Sequence, residues 1–175
     1  MLAELEQELI NVIKASPVAQ KVREIDSMPQ TNANALVKQL MSQAPAIYIT
    51  LRPIKLDGAK AQIAFDVILL ARNARGHKAA VQGDGQTIGL YQLIEHVADA
   101  IWKTPGWDVT DINRPRDEVF FAAGLQVASL IVKTNKFTMP FDIAPESLND
   151  FATVHIDHTL ATNAPVAQDI VNLET

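Results

Sequence analysis

The sequence contains no cysteine in 175 residues. That excludes disulfides, thiolate metal sites and cysteine nucleophiles, and it fits a reducing compartment. Long apolar runs are missing as well. The longest, Val67 to Ala71, is far too short to span a bilayer, so no membrane partner is expected. The opening Met1-Leu2-Ala3-Glu4-Leu5-Glu6 carries acids where a signal peptide needs basic residues, so no export signal is expected. Basic residues run out early: residues 1–87 hold ten Lys/Arg against eight Asp/Glu, and residues 88–175 hold five against twelve. Beyond Lys136 there are six acids (Asp142, Glu146, Asp150, Asp157, Asp169 and Glu174) and no Lys or Arg. A protein that grips DNA by its phosphates shows the opposite bias, so sequence-specific nucleic-acid binding is not expected.

What is present suits a folded domain. Apolar residues make up 48% of the chain, which places it among globular proteins. The cleanest period is Thr87 to Lys103, where Leu90, Ile94, Val97 and Ile101 form a stripe widened by Leu93 and Ala98. Gln92, Glu95, His96, Asp99 and Lys103 lie opposite, which predicts an amphipathic helix capped by Thr87 and stopped at Pro105-Gly106. A first helix is predicted over Leu2–Lys14, with Leu2, Leu5, Leu9, Val12 and Ile13 inward and Glu4, Glu6 and Glu8 near its N-terminus. Thr31 to Gln43 predicts another, with Ala33, Leu36, Val37, Leu40 and Met41 inward. Val18 to Ile25 alternates imperfectly and suits a short strand.

Strands are predicted from Ala46, over Gln62–Ala71, over Val119–Ala123 and Leu125–Phe137 around a turn at Gly124, and over Phe151–Leu160. Asp57-Gly58 marks a hairpin turn, and Pro53 places the end of its strand at an edge or bulge. The strand Gln62–Ala71 is apolar on both faces, as in a central strand covered on both sides, and its lone Asp66 requires a partner. Trp107 to Arg116 is polar and Pro-punctuated and has no strand assignment. The expected fold is one α+β domain over 1–175, a mostly antiparallel sheet with helices packed on it, with 161–175 as an extended C-terminal arm.

The candidates for chemistry are thin. His155, Asp157 and His158 form the one metal-like cluster, but on a strand only the first two point the same way, short of the three ligands zinc needs. Gly83-Asp84-Gly85 precedes a helix, yet it lacks Gly-Lys-Ser/Thr and GxGxxG, and Asp84 repels phosphate. Glu95, His96 and Asp99 are what any solvent face of a helix carries. No nucleophile elbow or carboxylate pair stands out, so no enzyme, cofactor or metal is expected. An enzyme would have to be built on His155, Asp157 and His96. Arg72, Arg75, His77 and Lys78 form the basic cluster: either a solvated loop, or the candidate interface residues for an acidic neighbouring subunit or a phosphate backbone.

The order of the pieces resembles the Mu-like prophage tail protein family. The resemblance is carried by the acidic first helix, the junction Gln43-Ala44-Pro45-Ala46-Ile47-Tyr48-Ile49 and the strand Phe65–Arg72. It continues through the Leu90-Tyr91-Gln92-Leu93-Ile94 helix, the stretch Glu118–Val127 and the late strand Asn149–Ile156. It implies a structural, non-enzymatic protein of a contractile tail, made in the host cytoplasm and carried in the virion tail. The implied role is that of a tail terminator. Such a protein forms a ring, expected to be a hexamer, on the end of the tail tube, stops its growth and presents a head-joining surface. The partners this implies are copies of itself, the tail tube, the sheath protein and the head–tail connector. The alternative is a monomeric connector or adaptor of the same gene cluster.

Overall fold

The structure, a computed structural model, describes residues 2–30, 32–57, 60–115, 124–135, 153–157 and 168–172. It divides into two compact units, Met1–Thr138 and Met139–Thr175. In the first unit the order is α1 (Leu2–Lys14), a 3-10 turn (Pro17–Lys21), β1 (Glu24–Ser27), α2 (Ala33–Gln43), β2 (Ala46–Leu51), β3 (Lys55–Asp57) and β4 (Lys60–Ala71). It continues with α3 (His77–Gln82), α4 (Leu90–Trp102), β5 (Trp107–Asn113) and β6 (Gln126–Thr134). The sheet runs β1-β2-β4-β6-β5, and β3 pairs with the early part of β4. One pair, β1 with β2, is parallel; the rest are antiparallel. The fold is therefore α+β with a mostly antiparallel sheet, as expected.

The main core lies on one face of this sheet. Ile47 and Ile49 of β2 stand beside Leu69 and Val67 of β4, which in turn face Ala128 and Leu130 of β6. All six are buried, and Ile63, Phe65 and Val132 extend the layer. Leu5, Leu9, Ile10 and Ile13 of α1 and Leu90, Leu93, Val97, Ala98 and Ile101 of α4 are buried as well. Both helices pack against this layer and against each other. Trp107 closes its margin: the ring lies 6.0 Å from Phe65, and Nε1 donates to Glu8 Oε1 at 3.3 Å. Of the expected α4 stripe, Ile94 is only half-buried, and Leu93 takes the central position.

Among the described residues, the opposite face is covered at one end only. There α2 lays Leu40 on Ala46, Tyr48, Leu70 and Leu125, with Leu36, Met41, Ile68 and Val127 packed around them. Further along, Thr50, Ala64, Ile131 and Lys133 remain half-exposed. So β4 is central in the sheet, but its second face is only partly covered, which corrects the expectation of two covered sides. Asp66 finds its partner on that face: Arg52 Nη1 donates to Oδ1 at 2.8 Å. Both side chains keep contact with water, and such a pair contributes about 0–1 kcal/mol.

Several expectations meet their test in detail. Asn32 caps α2, its Oδ1 accepting from Ala35 N at 2.9 Å. The hairpin is present, since β3 and β4 pair through Asp57 and Lys60, while Gly58 and Ala59 lie outside the described residues. Val18–Ile25 is not one strand, because Pro17–Lys21 coils into a 3-10 turn before β1 begins at Glu24. Trp107–Asn113 is a strand that sequence pattern did not reveal. A register shift between Val109 and Asp111 breaks its alternation, so Trp107, Val109 and Ile112 pair with β6 residues of the core face. The expected strand Val119–Ala123 lies outside the described residues, whereas Gly124 has the positive φ, +71°, that a turn there requires.

In the second unit, β7 (Thr153–Asp157) pairs antiparallel with β8 (Gln168–Asn172). β7 falls within the strand expected over Phe151–Leu160. β8 lies inside the segment expected to be an arm. The expected loop Phe141–Asp150 lies outside the described residues.

Candidate assembly surface

Basic residues gather where β4 ends. Its last residues, Leu70 and Ala71, pair with Ala46 of β2 and with Gln126 of β6, and Ala46 pairs with Glu24 of β1. Arg23 and Arg72 flank this end of the sheet, Arg75 and Lys78 follow, and Arg114 comes just after β5. All five are exposed.

Two of them are drawn inward by α2. That helix has no basic residue in its last turn to satisfy its terminal carbonyls. Arg23 Nη1 donates to Ser42 O at 2.9 Å, and Arg72 Nη1 donates to Met41 O at 3.3 Å. Guanidinium groups brought by the neighbouring strands thus supply the positive charge a helix C-terminus favours.

Arg75 is held by Asp84, Nη1 to Oδ2 at 3.4 Å, but stays largely in solvent. Asp84 also organises the loop after α3. Its Oδ1 accepts from the backbone N–H of Thr87 at 2.7 Å and of Gln86 at 3.0 Å. These bonds, with the Asn73 amide and Arg75 nearby, hold its carboxyl down to about 2. The loop N–H groups that a phosphate would need are therefore taken by an internal carboxylate.

Thr87 is consequently part of this loop and not the helix cap. Gly89 stands at the N-cap of α4 and donates its N–H to Gln92 Oε1 at 3.1 Å. A side chain at Gly89 would lie 2.1 Å from Gly83 N, so the glycine lets the end of α3 meet the start of α4. His77 and Lys78 begin α3 and are exposed. Of the four expected interface residues, Arg72 bonds Met41 and Arg75 bonds Asp84 within the fold, and all four lie between the end of β4 and the first turn of α3.

Apolar residues on the outer side of α4 and on β5 were not singled out from sequence. Tyr91 is 44% exposed, Trp102 59% and Ile112 44%. Tyr91 and Trp102 are eleven residues apart, close to three helical turns, so they share one side of α4. That spacing was visible in the sequence. Arg114 lies over the Tyr91 ring at 5.3 Å and donates to its hydroxyl at 3.0 Å. Lys103, at the C-cap of α4, bonds Asp99 Oδ2 through Nζ at 2.6 Å, and Glu95 and His96 are exposed.

The sheet edges have a different character. Glu24 and Asp26 stand on β1, Asp108 and Asp111 on β5, and β5 carries the register shift. Charge and bulging are common means of keeping an edge from pairing with another chain. Glu24 also accepts from the buried Tyr48 hydroxyl, and burial followed by this bond pushes the phenol well above its usual range.

Of the weighed metal cluster, His155 and Asp157 lie on β7 and His158 lies outside the described residues. Among the described residues, no three His, Asp or Glu side chains gather as a metal site. No helix among them is long and apolar enough to cross a membrane.

A model of the family described as Bacteriophage Mu, Gp37 matches residues 1–142. The match runs through the whole first unit, from α1 to β6. The chain belongs to the Bacteriophage Mu Gp37 family. It is thus a Mu-like phage protein, structural and tail-related in kind, and a component of the phage particle. No match to a curated protein was found. Within this Gp37-family chain the match ends shortly after the second unit begins.

Proposed function

We propose that this Gp37-family protein is a tail terminator, a non-enzymatic subunit that forms a ring on the finished tail tube, stops its growth and presents a surface for the head. The observation that carries the reading is the family match over residues 1–142. Exposed Tyr91, Trp102 and Ile112 support the self-association it requires, since apolar side chains left in water on a structural protein favour burial against another chain. The acidic edges of β1 and β5 oppose the simplest alternative, one sheet continuing into the next copy's sheet. A head-to-tail ring joins unlike patches of successive subunits, and its closure sets the number of copies, here proposed as six. Its partners would be the tube, the sheath and the head–tail connector.

The test is tube growth. Tail-tube subunits polymerised with the protein should give shorter tubes carrying a ring at one end. Tubes of unchanged length, joined to heads by single copies of the protein, would make it a monomeric connector instead.

A further inference from the structure

The chain carries two segments of opposite charge whose structural settings complement each other. One is the basic end of the sheet in the first unit, where Arg23, Arg72 and Arg114 flank strand ends within a few register positions of Ala71, and Arg75 and Lys78 follow in the loop and on α3; all five are exposed. Two acids beside it are engaged: Asp84 pairs with Arg75, and Glu24 accepts from Tyr48. The other is the stretch after Lys136, with six acids and no Lys or Arg. It forms a separate compact unit whose described regular structure is the β7–β8 hairpin. A two-stranded hairpin alone is at best marginally stable in water, so it gains from a surface to rest on. Register brings Asp157 and Asp169 to the same end of this hairpin, since Asp157 pairs with Gln168 and Ile156 with Asp169.

We propose that the acidic second unit of one copy docks on the basic end of the sheet of a second copy. This rests on the assembly reading above and names the surface that orders neighbouring subunits. Exposed charge pairs are weak singly and screened beyond about 8 Å at physiological salt, so the contact sets orientation and rate of association while apolar burial holds the ring. A nucleic acid is the lesser fit. Arg23, Arg72 and Arg75 already spend part of their charge on α2 and Asp84, and the chain as a whole is net negative, −5.

The absence of native cysteine permits a clean disulfide-trapping test on the full chain. Lys78→Cys protein is mixed with Asp169→Cys protein and oxidised gently. The expected result is a linked dimer between the two variants, reduced about tenfold when salt near 1 M shrinks the screening length to roughly 3 Å. Lys133→Cys, at the opposite end of β6, should give no such link with Asp169→Cys. Asp157→Cys serves as a second partner for Lys78→Cys should the first variant fold poorly.

Linkage found only within one chain of a Lys78→Cys/Asp169→Cys double variant would overturn the proposal in favour of an internal contact. No linkage from protein that runs as a ring would overturn the docking and leave the ring standing. Protein that stays monomeric at every concentration would remove the assembly reading and this contact together. Binding of a short DNA duplex that is lost in Lys78→Glu/Arg114→Glu would assign the basic end to nucleic acid and overturn it too.

Discussion

Asp84 and Gly89 show how single residues settle the geometry of the loop between α3 and α4. The Asp84 carboxylate fills the position an anion would take, because backbone N–H groups and Arg75 converge on it. Its pKa falls from 3.8 to about 2. A carboxyl held down in the folded state favours folding above its unfolded value, and that contribution is lost as pH falls through the folded value. An NMR titration should place the Asp84 midpoint near 2, and Asp84→Asn should remove the corresponding pH dependence of stability between about 4 and 2. A midpoint at the ordinary carboxylate value would mean the loop is not organised by this residue. Gly89 matters through contact and not through φ, which is −90°. Gly89→Ala forces a methyl against Gly83 N and should cost upward of about 3 kcal/mol, as overpacking against backbone does. Gly85 has φ +84° and open space around it, so Gly85→Ala should cost only about 1–2 kcal/mol. Chemical denaturation of the two variants separates these causes; equal losses would put the effect in backbone conformation alone.

Among the elements, α4 joins the sheet to its surroundings. Leu93 is fully buried on one side, and His96 is exposed on the other. Leu93→Ala should cost about 2–5 kcal/mol through the cavity it leaves, and His96→Ala should stay within about 0.5 kcal/mol. Comparable shifts in urea titrations would put the faces of α4 the wrong way round.

This helix was legible in the sequence because thirteen residues repeat one period, and α1, β2, β4 and β6 were legible for similar reasons. The 3-10 turn Pro17–Lys21, β8, β5 and α3 were not. β5 reads as polar because an edge strand meets water and the register shift after Val109 interrupts its alternation. α3 spans six residues, His77–Gln82, too short for a period to emerge, and it is fixed by packing of Ala80 and Val81 and the Gly83–Gly89 approach. The basic cluster was visible as composition, but its attachments were not. That Arg72 reaches Met41 O, 31 residues away, and Arg114 reaches Tyr91, 23 away, follows from topology that no local pattern encodes.

Taken whole, the molecule offers partners three kinds of surface: acidic strand edges, a basic end of the sheet, and exposed aromatics on α4. The basic end and the aromatics meet where Arg114 lies over the Tyr91 ring, and in the proposed assembly apolar burial supplies adhesion and charge supplies orientation. The central claim is that copies of this Gp37-family chain close into a ring. Its most direct measurement is the mass of the 175-residue chain in solution by light scattering or native mass spectrometry, repeated with tail tube present. The account predicts one discrete multiple of the 19.1 kDa chain, formed alone or on the tube, and a lower multiple for Trp102→Ser. A mass of one chain under both conditions, unchanged by Trp102→Ser, would contradict it.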